Sequence, residues 1–428
     1  MAALTEPARP VTGRGEYLWE TMSVLWPAPA RVERSGRAAG PWPGRAGRAR
    51  EQTEYLVLPN EARAVLLLPR RPRRAAAAAL RNYKASAAGP QRFLLRSLAL
   101  AARAGLADAL PHRITVRSTS DGPEADVVSY LQKVLGCDVV ASLRIGPPRA
   151  NRKPVLELLS PRGAVLGFAK VGVTDLTREL IRAEAAALAA LGGAGLGRLE
   201  VPRLLHHGQW RDHEVLVQAP LSGSGRTGSP AELTAAMAEV AAVQGVVTLQ
   251  VSRSDYWRRL RSRLAACPPS EPVGALLRVI QDLEATARRT RLAFGCWHGD
   301  WTPWNMAFSG GRVLVWDWER FEDGVPVGFD AVHYQVQRAV TKNGTQAEAA
   351  AEAALFTAPM TLGPLGVKPG VAAFVAALYL LEIATRYLHD EAAEAGAELG
   401  DVGSWLLPTL SRFASRQAEP PHPGGDQP

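Results

Sequence analysis

The sequence has few cysteines, and this excludes a disulfide-built fold. Only three occur in 428 residues, Cys137, Cys267 and Cys296, and they are widely spaced, odd in number and in no metal-ligand pattern. We therefore expect a reducing compartment and no disulfide framework.

Leader-like and membrane-spanning segments are also lacking. The first 30 residues have no basic start followed by a continuous apolar run, so we predict no secretory signal. The most apolar segment, Val371 to Leu381, ends at Glu382 and is shorter than the about 20 residues that cross a bilayer. We expect no transmembrane segment and a cytoplasmic protein.

Positive charge is in excess only near the N-terminus. Residues 1 to 117 hold 20 Lys and Arg against 8 Asp and Glu, a net charge of +12. Since the net charge of the whole chain is +9, the remaining residues carry −3. Such a region could contact nucleic acid, anionic lipid or an acidic partner. The Ala, Arg, Gly and Pro bias of the whole chain favours a composition effect instead, and we do not expect nucleic-acid binding.

Three oxygen-bearing side chains lie close together in residues 297 to 319. Asp300, Asn305 and Asp317 fall within 18 residues, on two short apolar runs joined by a turn at 309–311. Phosphoryl transfer needs a positioned hydroxyl, an acceptor for its proton and neutralised phosphate charge. Mg²⁺ prefers hard oxygen ligands and takes one or two carboxylates. We predict that Asp300 serves the hydroxyl while Asn305 and Asp317 bind the metal.

The same segment resembles a known group of enzymes. The tripeptide HGD at 298–300, followed by Asn305, resembles the catalytic loop of protein kinases, and Asp317 follows a hairpin as their metal-binding Asp does. With Pro303 and Asp-Trp-Glu at 317–319, it is more similar to aminoglycoside phosphotransferases and related small-molecule kinases. No Ala-Pro-Glu motif follows, and Asp330 comes only 13 residues after Asp317, which argues against a protein kinase.

This resemblance implies an architecture and further roles. It implies an α+β, two-lobed protein-kinase-like fold, with a mainly β N-lobe, a helical C-lobe, and ATP and Mg²⁺ as cofactors. Asp300 would be the catalytic base, and His298 would orient the catalytic loop through hydrogen bonds. Asp330 would hold this loop through backbone hydrogen bonds, and Glu319 would either contact metal or fix the loop.

A lysine and a glutamate upstream complete the predicted nucleotide site. Lys170, on a strand predicted at 164–171, resembles the third-strand lysine that holds the inner phosphates. The helix predicted at 176–191 offers Glu179 and Glu184 as its partner. Glu184 is four residues from both Leu180 and Leu188 and shares their inward stripe. A buried carboxylate needs a cation or hydrogen bonds, so we predict a Lys170–Glu184 pair.

The predicted phosphate loop departs from the family pattern. Between strands at 139–145 and 154–159 it has one glycine, Gly146, whereas such loops use several so that backbone amides approach the phosphates. We predict that Arg149 and Arg152 supply side-chain charge in their place. Backbone groups of Gln218 and Ala219, after the last predicted strand of the small lobe, are expected at the adenine edge.

The chain divides into five predicted parts. Residues 1–53 form a basic, mobile arm in which Tyr17, Trp19 and Trp26 anchor a short segment. Residues 54–137 form an accessory α+β module, whose helix from Gln91 carries an apolar stripe. The N-lobe spans 138–219, the C-lobe with the catalytic loop 220–416, and a disordered tail 417–428.

The predicted activity is transfer of the γ-phosphoryl group of ATP to a hydroxyl of a small molecule. Two alternatives stay open: a catalytically silent nucleotide-binding scaffold, or a kinase of the same fold for choline-like, homoserine, sugar or macrolide substrates. The sequence indicates neither the acceptor nor the oligomeric state, because fold does not choose a substrate.

Overall fold

We describe the fold from a computed structural model, which covers residues 13–35, 52–83, 90–117, 125–147, 149–221, 223, 228–343, 346–392 and 401–418. The strands in these ranges are β1 (Arg31–Ser35), β2 (Gln52–Leu58), β3 (Leu66–Pro69), β4 (Arg113–Arg117), β5 (Val140–Arg144), β6 (Val155–Leu159), β7 (Val165–Gly172), β8 (Leu199–Glu200), β9 (Leu204–Trp210), β10 (His213–Gln218), β11 (Val247–Gln250), β12 (Arg291–Trp297), β13 (Met306–Ser309), β14 (Arg312–Val315) and β15 (Glu322–Pro326). The α-helices are α1 (Arg14–Leu25), α2 (Arg73–Asn82), α3 (Pro90–Ala104), α4 (Val127–Leu135), α5 (Asp175–Gly192), α6 (Pro230–Ala242), α7 (Asp255–Ala266), α8 (Glu271–Arg289), α9 (Phe329–Asn343), α10 (Ala347–Leu362), α11 (Pro369–His389) and α12 (Leu406–Ala418).

These elements form two compact units. The first contains residues 1–192 and 202–225, and the second contains 193–201 and the chain from 226 onward. The first unit is built on a nine-stranded sheet, whereas the second is mainly helical with two three-stranded sheets. The predicted α+β class, with a β-rich first part and a helical second part, is confirmed.

The nine-stranded sheet joins two regions that the sequence predicted as separate. Its order is β1-β4-β2-β3-β5-β6-β7-β10-β9, and β3 pairs with β5 in the register Leu66↔Arg144 and Leu67↔Leu143. The predicted accessory module at 54–137 therefore extends the sheet of the predicted N-lobe. The boundary at 137/138 was wrong, because backbone hydrogen bonds cross it.

The predicted mobile arm is corrected for residues 13–35. Helix α1 buries Leu18, Met22 and Leu25, one or two turns apart, and Tyr17 and Trp26 are 6% and 4% exposed. Strand β1 pairs with β4 along its full length. The apolar face of α1 thus covers one face of the sheet, and Tyr17 and Trp26 anchor this helix as predicted. Residues 1–12, 36–51 and the predicted tail from 419 lie outside the described residues.

Helix α3 presents a different face from the one predicted. The predicted apolar stripe comprised Phe93, Leu94, Leu98, Ala101, Ala102 and Leu106. Of these, Phe93, Leu94 and Leu98 are 74%, 57% and 40% exposed, whereas Ala102 is buried together with Ala99, which the predicted stripe did not include. These two alanines pack with the alanines of α2 in one core cluster. Helix axes approach more closely when small residues meet, so the alanine face is buried in place of the more apolar one.

The second unit is organised around α11. This helix is 21 residues long and apolar enough to cross a membrane, yet 72% of its most apolar window is buried inside the structure. Its side chains belong to a core cluster shared with α7, α8, α9, α10 and α12. Burial by other helices accounts for its apolar composition. Helix α11 ends at His389.

Two short sheets carry the predicted catalytic segment. Strand β12 lies between β11 and β15, and the hairpin β13–β14 adds β8 in parallel. The hairpin turns at Gly310 and Gly311, whose φ values are 56° and 80°, as a two-residue turn between antiparallel strands requires. The Trp316 N–H donates to the Asn305 carbonyl over 3.1 Å, which closes the open end of the hairpin. Asn305 and the residue before Asp317 are thereby adjacent.

Candidate active site

The loop after β12 is fixed by a buried carboxylate. Asp330, at the start of α9, accepts the N–H groups of His298 (2.8 Å) and Gly299 (3.1 Å), which confirms its predicted structural role. Burial raises the pKa of Asp330 to about 7, although both N–H bonds act to lower it. Gly299 has φ 83°, and a Cβ there would lie 2.3 Å from the Arg320 carbonyl. Arg386 donates to the Gly299 carbonyl over 2.7 Å.

His298 is held as a neutral imidazole. Its Nδ1 accepts the Asp300 N–H over 3.1 Å, and its Nε2 lies 3.1 Å from the Trp316 carbonyl, to which it donates. The side chain is fully buried, and burial lowers its pKa to about 4. His298 therefore ties the Asp300 backbone to the end of the hairpin.

The lowered pKa of His298 predicts a pH dependence of stability. An unfolded His298 takes up a proton near pH 6.5, whereas the folded one does so near pH 4. The neutral His298 therefore stabilises the fold fully above pH 6.5. As the pH falls from 6.5 to 4, the free energy of unfolding decreases by on the order of 3 kcal/mol. Urea denaturation of the wild type and His298→Asn should give a stability difference that shrinks over this range. Asp330 acts in the opposite direction but is present in both proteins, and a constant difference would contradict the assignment.

The Asp300 carboxylate is oriented by two donors. Its Oδ2 accepts Nδ2 of Asn305 over 2.9 Å, and its Oδ1 lies 3.1 Å from Nε2 of His333. The side chain is 32% exposed, so its remaining lone pairs are accessible from solvent. An ionised carboxylate fixed in this way can accept a proton from a bound hydroxyl.

His333 is a site residue that the sequence reasoning missed. It is 2% exposed, and its Nδ1 lies 2.9 Å from the hydroxyl of Tyr379. If Nε2 of a neutral His333 donates to Asp300, Nδ1 accepts from the Tyr379 hydroxyl. The available signal was spacing, because His333 lies three residues after Asp330 on the same face of α9. Tyr379, on α11, carried no such signal.

Asn305 and Asp317 offer hard oxygen atoms. Nδ2 of Asn305 donates to the carbonyl (3.0 Å) and Oδ2 (2.9 Å) of Asp300, while its Oδ1 accepts no hydrogen bond from the described residues. Asp317 has φ 73°, a conformation that costs energy for a residue other than glycine and that concentrates at functional sites. An amide oxygen and a carboxylate fit the ligand preference of Mg²⁺.

In the first unit, Lys170 and Glu184 form the predicted pair. Nζ of Lys170 lies 2.6 and 2.7 Å from the two carboxylate oxygens. Lys170, on β7, is 5% exposed, and Glu184, on α5, is fully buried. Glu179, the other candidate, is exposed. The pair provides a cation whose ammonium group is fixed in position.

The two loop arginines have different surroundings. Arg149 is exposed, whereas the guanidinium of Arg152 lies 3.4 Å from the centroid of the Tyr17 ring. Burial lowers the pKa of Arg152. Helix α1, which the sequence reasoning placed in a mobile arm, therefore fixes the Arg152 side chain by a cation–π contact.

The predicted adenine edge is partly engaged within its own unit. Gln218 is 5% exposed and pairs with Phe168 on β7. The Ala219 N–H donates to the Arg203 carbonyl over 2.8 Å. The Ala219 N–H can donate to an adenine ring only if it no longer donates to the Arg203 carbonyl.

The remaining candidates are Glu319 and several acidic residues near the end of α11. Glu319 is 4% exposed. The sequence has an acidic run at Asp390, Glu391, Glu394, Glu398 and Asp401, in which Asp390 forms an ion pair with Arg320 and Asp401 accepts the Gly403 N–H over 3.1 Å. Glu394 and Glu398 lie outside the described residues. Asp390 is thus already neutralised and does not offer a free charge to a cationic substrate.

Comparison with known proteins adds an independent finding. Residues 164–360 match the APH family model, described as the phosphotransferase enzyme family. That range contains Lys170, Glu184 and the whole catalytic loop, and begins after the arginine-rich loop at 145–154. No curated protein sequence matches the chain significantly.

Solved structures resemble the chain at low sequence identity. The amicoumacin kinase hAmiN, in complex with AMP-PNP, Ca²⁺ and Ami, is 14% identical, with 62% of this chain and 85% of that chain covered and a TM-score of 0.40. The aminoglycoside phosphotransferase APH(4)-Ia is 13% identical, with 68% of this chain and 98% of that chain covered and a TM-score of 0.44.

Proposed function

We propose that this chain, a phosphotransferase by its family match over residues 164–360, transfers the γ-phosphoryl group of ATP to a hydroxyl of a small molecule in a magnesium-dependent reaction. The observation that carries the proposal is the Asp300 carboxylate, held by Asn305 and His333. Little covalent chemistry is required of the protein in such a transfer, so the positioning of one base and of charged groups is sufficient.

Asp300 is the proposed general base. The hydroxyl oxygen of the acceptor forms a bond to the γ-phosphorus, and the bond from that phosphorus to the bridging oxygen breaks and releases ADP. The hydroxyl proton passes to Asp300. His333 and Asn305 keep the carboxylate in one orientation, which supports transfer from a bound hydroxyl rather than from bulk water.

Asn305 and Asp317 are the proposed magnesium ligands. The metal, when bound, would neutralise phosphate charge that develops during transfer. Oδ1 of Asn305 is directed away from Asp300 because the amide Nδ2 faces that residue. Asp317 supplies the negative charge of the pair.

The proposed phosphate contacts are in the first unit. Lys170 is held by Glu184 and would neutralise the inner phosphates of ATP, and exposed Arg149 would add charge from the loop. Arg152 would contribute only by leaving the Tyr17 ring. At the adenine edge we propose contacts from the backbone of Gln218 and Ala219, with the carbonyl groups favoured because the Ala219 N–H is already donated.

One observation favours a second function, a nucleotide-binding scaffold without transfer. The loop at 145–154 has a single glycine, Gly146, and one of its two proposed cations, Arg152, is engaged by Tyr17. The complete set of Asp300, Asn305 and Asp317 argues against this scaffold function.

A substrate screen distinguishes the two functions. The purified protein, ATP and Mg²⁺ are incubated with separate pools of amino alcohols, sugars, aminoglycosides and macrolides, and ADP release is followed. We expect one pool to raise ADP release above the rate without acceptor, with a phosphorylated product detected by mass spectrometry. Nucleotide binding without ADP release in any pool would favour the scaffold.

A further inference from the structure

Four arginines surround a cavity in the first unit, apart from Lys170 and Glu184. The cavity has a volume of about 250 Å³ and is lined by Arg74, Ala77, Arg81, Arg103 and Arg162. Its size approaches the lower end of small-molecule pockets, about 300 Å³. Among the described residues, no carboxylate lines the cavity.

The fold brings these arginines together from three elements. Arg74 and Arg81 lie seven residues, or two turns, apart on α2, with Ala77 between them on the same face. Arg103 comes from the last turn of α3, which packs closely on α2 through alanines. Arg162 lies in the β6–β7 turn. In that turn Gly163 has φ 87°, and a Cβ there would lie 2.8 Å from the Arg74 carbonyl.

Neighbouring arginines are neutralised, but these four are not. Asp108 forms ion pairs with Arg70, Arg71 and Arg73, and Arg70 also pairs with Glu54. In contrast, the side chains of Arg74, Arg81, Arg103 and Arg162 have no ion pair or hydrogen bond with any residue in the described ranges. The first turn of α2 also contains no acidic residue, although the positive end of a helix favours negative charge.

We propose that this cavity binds a small anion carrying two or more phosphate groups. Guanidinium groups bind phosphate through paired N–H···O bonds, and several of them around one cavity match a ligand with several negative oxygens. Such a ligand would relieve the repulsion among four like charges. Arg162 lies in the turn after β6, whereas the proposed phosphate loop at 145–154 lies before β6, at the opposite end of that strand.

Titration with tripolyphosphate tests the proposal on the full chain. In metal-free buffer, Arg81→Gln/Arg162→Gln should weaken tripolyphosphate binding by about 100-fold, since each lost guanidinium removes a charge-assisted contact. The matched control Arg63→Gln/Arg96→Gln removes the same charge from exposed residues that do not line the cavity. It should leave the affinity unchanged.

Stability separates binding from a structural role. Without ligand, Arg81→Gln/Arg162→Gln should be at least as thermostable as the wild type, because two like charges are removed, and it should lose the stabilisation by tripolyphosphate. Equal affinity in this variant and the wild type would overturn the proposal. So would binding only to vesicles of anionic phospholipid.

Discussion

Replacing Asp300 by Asn should lower the turnover of phosphoryl transfer by about 10²- to 10⁴-fold, the usual contribution of a general base. The amide cannot accept the hydroxyl proton, yet its shape is nearly that of the carboxylate. One amide oxygen can still accept Nδ2 of Asn305, and His333 can meet the new amide nitrogen by changing tautomer. We therefore expect the loss to be in kcat, measured as ADP release with the acceptor found in the screen.

Two controls make the Asp300→Asn result interpretable. Asp282→Asn changes the same charge at an exposed position of α8, and it should leave turnover unchanged. The affinity of Asp300→Asn for AMP-PNP, measured by calorimetry, should equal that of the wild type. Full turnover in Asp300→Asn would exclude the base assignment even if the chain proved to be a kinase.

Replacing Asp317 by Asn should have an effect of similar size through a different cause. Removing a carboxylate ligand from Mg²⁺ costs several kcal/mol of transition-state stabilisation, so we expect turnover to fall by about 10³-fold. Asn is the best fold control at this position, because Asp317 has φ 73° and Asn tolerates the left-handed conformation. The thermal midpoint should therefore stay close to that of the wild type.

The magnesium dependence distinguishes this variant from Asp300→Asn. Asp317→Asn should require a higher Mg²⁺ concentration for half-maximal rate, whereas Asp300→Asn should keep the wild-type requirement, because Asp317 is a proposed metal ligand and Asp300 is not. A normal Mg²⁺ requirement in Asp317→Asn would show that the carboxylate has another role. If the rate is also normal, the metal site must lie elsewhere.

Local spacing made much of the candidate site predictable. The family resemblance implied Lys170 and a glutamate partner on the next helix, and helical periodicity selected Glu184, because it lies on an inward stripe where a carboxylate needs a cation. The two N–H bonds to Asp330 followed from the resemblance of the motif. Each feature depends on a short segment or on a pattern that recurs across a family.

Contacts between distant elements were not predictable in the same way. Tyr379 reaches His333 across 46 positions, and Arg152 meets Tyr17, which precedes it by more than a hundred residues. Helix α3 buries Ala99 and Ala102 rather than its more apolar residues, because close packing against an alanine-rich helix depends on shape as well as hydropathy. The sequence pattern of one segment does not identify the distant residue that contacts it.

The sequence by itself determined the types and spacing of the proposed site residues Asp300, Asn305 and Asp317, and the turn that joins their strands. The tertiary structure alone decided which groups orient those side chains, that the N-terminal strands extend one sheet, and that four arginines converge on a cavity. Bonding along the chain fixes local spacing, whereas convergence of distant residues depends on which surfaces the whole chain can bury together.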